Sequence, residues 1–128
     1  MTQNISLTPL KKASARFNEF KTNMQDDRDK AGAIQAFEFC YELSWKTLKK
    51  LLESRGVLDL ASPKKTFIKA AQEGIITNVE VWIVFLETRN LTVHTYDEKV
   101  MDEVVEVFET FAIELEKLII ALEKNING

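Results

Sequence analysis

The segment FEFCYELSWKTLKKLLESRG, residues 37–56, decides the fold class. Its apolar residues recur at spacings of three and four, which gives a helix one apolar face. The repeat begins earlier in the chain and predicts a helix from about residue 29 to residue 55, closed by Gly56 in the place of a C-terminal glycine. The apolar positions of this helix are Ala33, Ile34, Phe37, Tyr41, Trp45, Leu48, Leu51 and Leu52. Such a helix needs partners that cover this face.

Four further segments carry the signals that start a helix. Thr8 and Ser62 each precede a proline, the arrangement of an N-cap followed by proline at the first helical position. Asn78 can cap a fourth helix, and Asp97 can cap a fifth, whose apolar seam runs almost to the end of the chain. The third helix is short and is predicted to end at Gly74.

No segment alternates with the period of two that a strand would show. Four long amphipathic helices and one short one predict an all-α fold, an antiparallel four-helix up-and-down bundle with one additional short helix. A chain of 128 residues suits a single core, and no linker, repeat or low-complexity segment divides it. We therefore expect residues 1–128 to form one domain.

Charge and composition exclude several classes of protein. A net charge of −3 argues against a general nucleic-acid binder but leaves room for a small RNA site. Residues 1–12 lack the order of a signal peptide, and the longest apolar run, residues 81–86, is too short to span a bilayer. With one cysteine and one histidine, neither an internal disulfide nor a Cys/His zinc cluster can form. The sequence predicts a cytoplasmic protein without membrane contact, metal or cofactor.

The segment ETRNLTVHTYDE, residues 87–98, contains the only histidine of the chain, His94. Arg89 lies five residues before it, and on a continuous helix the two would point about 140° apart. A shared site therefore requires the helix to end between them. The segment contains three β-branched residues that favour helix weakly: Thr92, Val93 and Thr95. In an extended connection, residues two apart point the same way, so we expect His94 and Tyr96 on one side.

These residue types suit phosphate chemistry. Arginine binds phosphate through a planar fork, histidine exchanges protons near neutral pH, and Asn90 adds an amide donor. Together they could help a ribose 2′-hydroxyl attack an RNA phosphodiester without metal. That reaction needs an acid and a base, so cleavage implies a two-fold dimer that brings two His94 side chains together. The structural alternative is ordinary: arginine complements a helix C-terminus, and the linker histidine is a partly buried polar residue.

RNLTVHTY, residues 89–96, resembles the R-x4-H-x-Y motif of HEPN-domain proteins. More specifically, the chain resembles the nucleotidyltransferase substrate-binding family, HepT-like partners of minimal nucleotidyltransferases. The resemblance extends from about residue 10 to about residue 122. The ordered features that carry it are the FE..YE..WK pattern within residues 37–56, the Ser-Pro at residues 62–63, EGII at residues 73–76, Trp82 and the Arg89-Asn90 pair.

The resemblance implies a homodimeric, metal-independent ribonuclease, the toxin of a toxin–antitoxin pair. Arg89 and His94 would be the catalytic pair, with Asn90 in support. The cognate nucleotidyltransferase would transfer AMP to Tyr96, and the bulky nucleotide would block RNA entry. An alternative implied by the family name is a non-catalytic substrate-binding subunit of a two-component nucleotidyltransferase. A third possibility is a purely structural helical dimer.

Other residues that could carry chemistry have ordinary interpretations. Trp45 and Trp82 stand at helical spacings typical of core or dimer packing, and Cys40 is expected to be a buried hydrophobe. Glu38 and Glu42 are one turn apart and are interpreted as a polar or interface feature. A basic cluster on the same helix is either a solvated face or a guide for phosphate: Lys46, Lys49 and Lys50.

Overall fold

A computed structural model describes residues 5–127, which contain helices and no strand. The helices are α1 (Thr8–Thr22), α2 (Asp27–Ser54), α3 (Pro63–Gln72), α4 (Val79–Leu91), α5 (Glu98–Glu106) and α6 (Phe108–Asn127). The predicted all-α antiparallel bundle is confirmed: α1, α2, α4 and the α5–α6 pair are its four members, and α3 is the additional short helix. In this part of the chain, no helix is long and apolar enough to cross a membrane.

Side-chain caps start three of the helices where the sequence predicts them. The side chains of Ser62, Asn78 and Asp97 accept hydrogen bonds from backbone N–H groups in the first turns of α3, α4 and α5. Gly56 and Gly74 follow the ends of α2 and α3 with φ of 81° and 75°. Glycine suits both positions because it adopts left-handed backbone without a steric penalty.

The start of α1 differs from the prediction, in which Thr8 was the N-cap. Leu7 occupies the cap position and Thr8 is the first helical residue, with its N–H donating to the Ser6 hydroxyl at 3.3 Å. Pro9 consequently lies at the second helical position. Proline is tolerated there because the first N–H groups of a helix have no partner within the helix.

The last predicted helix is divided at Val107 into α5 and α6. The N–H of Val107 donates to the carbonyl oxygen of Val104 at 3.2 Å. This bond reaches back three residues, where a regular α-helix would reach back four. Val104, Val105 and Val107 are β-branched and favour a regular helix only weakly. A tightened turn at this point is therefore a modest departure from the predicted single helix.

A cluster of aromatic rings joins the bundle helices, with Phe111 of α6 at its centre. The Phe111 ring centroid lies 4.7 Å from that of Phe37, 5.0 Å from Phe85, 5.4 Å from Phe17 and 6.1 Å from Trp82. All four pairs meet edge to face, an arrangement that aromatic quadrupoles favour. One ring thus contacts α1, α2 and α4, and Trp82 is a core residue as predicted.

Cys40 is fully buried on α2, as expected for a small hydrophobe. Burial raises the pKa of its thiol to about 12, so the reactive thiolate is scarce in the folded protein at pH 8. We expect iodoacetamide at pH 8 to leave Cys40 unlabelled in the native protein and to label it fully in denaturant, as measured by intact mass. An exposed cysteine in a Cys40→Ala, Gln35→Cys variant supplies the positive control. Equal labelling of native and denatured wild type would contradict the buried placement.

Candidate functional site

The site lies where α4 ends. A 3₁₀ turn, Thr92–His94, follows Leu91, and α5 begins four residues later at Glu98. The predicted helix end between Arg89 and His94 is therefore confirmed. The connection is a succession of tight turns and not the extended backbone that was expected.

His94 and Tyr96 meet on one side of this connection. Nδ1 of His94 lies 3.3 Å from the Tyr96 hydroxyl, and the two rings pack edge to face with centroids 5.9 Å apart. Which of the two groups donates the proton depends on the histidine tautomer. Tyr96 is 85% exposed, and His94 is exposed as well. The phenol and the imidazole therefore form a pair that is open to solvent.

Arg89 is held by a compact polar network between α4 and α2. Its Nη1 donates to the Thr92 hydroxyl at 3.0 Å and lies 3.2 Å from Oε2 of Glu38. The Thr92 hydroxyl also lies 3.0 Å from Glu38 Oε2 and 2.7 Å from the Arg89 carbonyl oxygen, so its single proton is shared between two acceptors. Ion pairing and hydrogen bonding thus fix Nη1 from two directions.

Glu42 faces the other edge of the same guanidinium. Its Oε1 lies 3.7 Å from Arg89 Nε, too far for a hydrogen bond, and Nε is a buried nitrogen without any hydrogen-bond partner. Oε2 of Glu42 accepts from the Trp45 indole N–H at 3.1 Å and lies 3.9 Å from Lys46 Nζ. Lys49 Nζ stands 5.9 Å from the Trp45 ring centroid.

Tyr41 lies close enough to this network for two of its charged groups, Glu42 and Arg89, to affect its pKa. Burial raises the pKa of the Tyr41 phenol, Glu42 raises that pKa further, and Arg89 lowers it. The sequence indicated only that Tyr41 belongs to the apolar stripe. The one-turn spacing of Glu38 and Glu42 was the available signal for the α2 side of the site, but it did not identify Arg89 as their partner.

Of the four residues singled out in the sequence, three fall into two groups, and Asn90 belongs to neither. His94 pairs with Tyr96, while Arg89 belongs to the network with Glu38, Glu42 and Thr92. Within residues 5–126, no hydrogen bond or ion pair joins the two groups. Asn90 is exposed beside Arg89 in the chain. Their catalytic and acceptor roles stay predictions.

The arrangement provides an exposed imidazole–phenol pair on the turns after α4 and, in the last turn of α4, a guanidinium held by its own network. Such a set can attract an anion, exchange a proton and present a hydroxyl to another enzyme. Across the described part of the chain, no three His, Cys, Asp or Glu side chains are grouped so that they could hold a metal ion. The chemistry supported by these residues is acid–base and anion-binding chemistry.

Comparisons with known proteins give one family. The family model described as "Nucleotidyltransferase substrate binding protein like" matches residues 5–124. "Probable ribonuclease HepT" of Haemophilus influenzae is 35% identical over 88 residues, which are 66% of this chain and 60% of that protein. The aligned region thus spans less than two thirds of the length of that relative.

Two solved structures share the fold. A crystal structure of a Thermus thermophilus protein has a TM-score of 0.82 at 28% identity and covers 88% of this chain and 98% of its own. A Haemophilus influenzae protein has a TM-score of 0.79 at 30% identity and covers 94% of this chain and 98% of its own. The latter structure is described as revealing the fold of a substrate-binding domain of a nucleotidyltransferase.

Proposed function

Because the chain belongs to the nucleotidyltransferase substrate binding protein like family, we propose that it is a HEPN-type ribonuclease toxin silenced by a cognate nucleotidyltransferase. The observation that carries the proposal is the exposed pair formed by His94 Nδ1 and the Tyr96 hydroxyl, 3.3 Å apart. The imidazole of His94 can transfer a proton, and the hydroxyl of Tyr96 beside it can accept AMP. The probable ribonuclease among the relatives supports the first role, and the solved structure described as a substrate-binding domain of a nucleotidyltransferase supports the second.

The proposed reaction is transesterification of RNA without metal. Arg89 binds the phosphodiester, and Asn90 adds an amide donor. An imidazole takes the proton of the ribose 2′-hydroxyl, which attacks phosphorus and breaks the bond to the 5′-oxygen. A second, protonated imidazole gives its proton to that oxygen, leaving a 2′,3′-cyclic phosphate and a 5′-hydroxyl. Because one chain has one histidine, the active form is a homodimer with two His94 side chains at one site.

Silencing occurs at Tyr96. The phenolic oxygen attacks the α-phosphorus of ATP, pyrophosphate leaves, and the phenol proton passes to a base or to water. The 85% exposure of Tyr96 makes the hydroxyl accessible to the transferase of the toxin–antitoxin pair. The attached AMP brings a negative charge and a bulky nucleoside next to His94, where both oppose RNA entry.

Adenylylation gives a direct test of the Tyr96 role. We expect intact-mass spectrometry to detect one added adenylyl group after incubation of the wild type with the cognate nucleotidyltransferase, ATP and Mg²⁺. Tyr96→Phe should gain no mass because it lacks the acceptor oxygen. The chain has only two tyrosines, so Tyr41→Phe is the matched control and should be modified like the wild type. Equal modification of Tyr96→Phe and wild type would refute the assignment.

A second candidate function, a non-catalytic substrate-binding subunit of the transferase, is favoured by one observation. The single positive charge of Arg89 faces two carboxylates, Glu38 and Glu42, which leaves less net attraction for an RNA phosphate. In the presence of EDTA, the ribonuclease proposal expects RNA cleavage by purified protein. Absence of cleavage combined with intact AMP transfer would support the subunit role instead.

A further inference from the structure

We infer that the two carboxylates at Arg89 have different tasks: Glu38 positions the guanidinium, and Glu42 is a counter-ion that a bound phosphate displaces. That this phosphate belongs to RNA rests on the proposed function. That the site binds a phosphate group does not depend on the proposed function.

Glu38 is integrated into a closed set of short contacts. Its Oε2 lies 3.2 Å from Arg89 Nη1 and 3.0 Å from the Thr92 hydroxyl, and that hydroxyl accepts from the same Nη1 at 3.0 Å. Three atoms therefore restrain one another in a triangle. Losing Glu38 would release the guanidinium from the orientation in which its remaining edge faces Glu42.

Glu42 does not supply a hydrogen bond to the Nε edge of the Arg89 guanidinium. The distance of 3.7 Å from Oε1 to Arg89 Nε exceeds hydrogen-bond length, and Nε is a buried side-chain nitrogen that lacks an acceptor. A buried donor without a partner is costly, so an oxygen that approached Nε more closely would be favoured. A phosphate has such oxygens and the negative charge that a guanidinium prefers.

Glu42 can move away from Arg89 and keep its contacts with two other residues. Its second oxygen, Oε2, already accepts from the Trp45 indole at 3.1 Å and lies 3.9 Å from Lys46 Nζ. A carboxylate that turned toward these two groups would stay hydrogen-bonded and close to a positive charge. For Glu38, by contrast, both contacts described above belong to the network itself. Displacement is therefore easier at Glu42 than at Glu38.

Phosphate titration followed by NMR tests this division of tasks. The probe is inorganic phosphate, and the readout is the Nε–Hε signal of Arg89 in ¹⁵N-labelled protein, assigned by its loss in Arg89→Lys. We expect the signal of Glu42→Gln to change at a phosphate concentration about tenfold lower than that needed by the wild type. A neutral amide competes less strongly than a carboxylate with the anion for the guanidinium. Glu38→Gln should need several-fold more phosphate, because the guanidinium loses its orientation.

Glu53→Gln is the matched control, since it removes the same charge from an exposed position on the same helix. It should respond at the phosphate concentration of the wild type. The inference is overturned if Glu42→Gln binds phosphate no more tightly than the wild type, if both glutamine variants change in the same direction, or if no variant responds.

Steady-state RNA cleavage separates this inference from the proposed function. Glu42→Gln is expected to lower KM with little change in kcat, whereas Glu38→Gln is expected to lower kcat. If phosphate binding follows the expected order and no RNA is cut, the inference stands and the ribonuclease proposal fails. If RNA is cut and Glu42→Gln raises KM, the ribonuclease proposal stands and the inference fails.

Discussion

Replacement of His94 by alanine is expected to slow metal-independent RNA cleavage by about 10²- to 10⁴-fold, the range that a positioned general acid or base contributes. His94 is the only histidine of the chain, so no second imidazole of the same protomer can replace it. In the proposed homodimer the substitution removes both the proton acceptor and the proton donor. The loss should therefore lie toward the upper end of the range.

Cleavage of a fluorescent RNA in EDTA measures this effect, with product analysis for 2′,3′-cyclic phosphate ends. His94 is exposed and makes its side-chain hydrogen bond with Tyr96, so His94→Ala should unfold at the temperature of the wild type. Val93→Ala changes an exposed neighbour in the same turn and should retain full activity. Equal cleavage by wild type and His94→Ala would exclude His94 from the chemistry and indicate a contaminating nuclease.

Replacement of Phe111 by alanine should reduce the free energy of unfolding by about 3–5 kcal/mol, the usual cost of removing a buried phenylalanine ring. Phe111 is fully buried and its ring contacts aromatic rings on α1, α2 and α4. The alanine would leave a cavity at the centre of the aromatic cluster. The rings that surround this cavity also hold α1, α2 and α4 in place, so the helices cannot easily move inward to fill it. Such a loss is a large part of the stability of an ordinary domain.

Urea denaturation followed by far-ultraviolet circular dichroism measures the change. Phe39→Ala is the matched control: the same substitution on α2, where the side chain is 59% exposed, should alter stability by no more than about 0.5 kcal/mol. A loss below about 1 kcal/mol for Phe111→Ala, or equal losses for both variants, would contradict the central position of this ring. The Phe111 ring also contacts Phe37 and Phe85 on the helices that carry Glu38 and Arg89.

Most of the helices, the side-chain caps of α3, α4 and α5, and the helix end at the site could be predicted because they depend on neighbouring residues. Asn78 and Asp97 bond to N–H groups two or three positions away, and apolar spacing marks the buried face of each helix. The end of α4 before His94 follows from the weak helix preference of Thr92 and its neighbours. Interactions of this range can be inferred from a short window of sequence.

The partners of Arg89 could not be predicted in this way. Thr92 and Glu38 are 54 positions apart in the chain, and their contact exists because α2 and α4 pack side by side around a shared core. The same packing gives Arg89 two carboxylate neighbours and leaves its Nε without a hydrogen bond. Local preferences determine where helices begin and end, but burial of their apolar faces determines which polar residues meet, because only packing brings distant segments within hydrogen-bond distance.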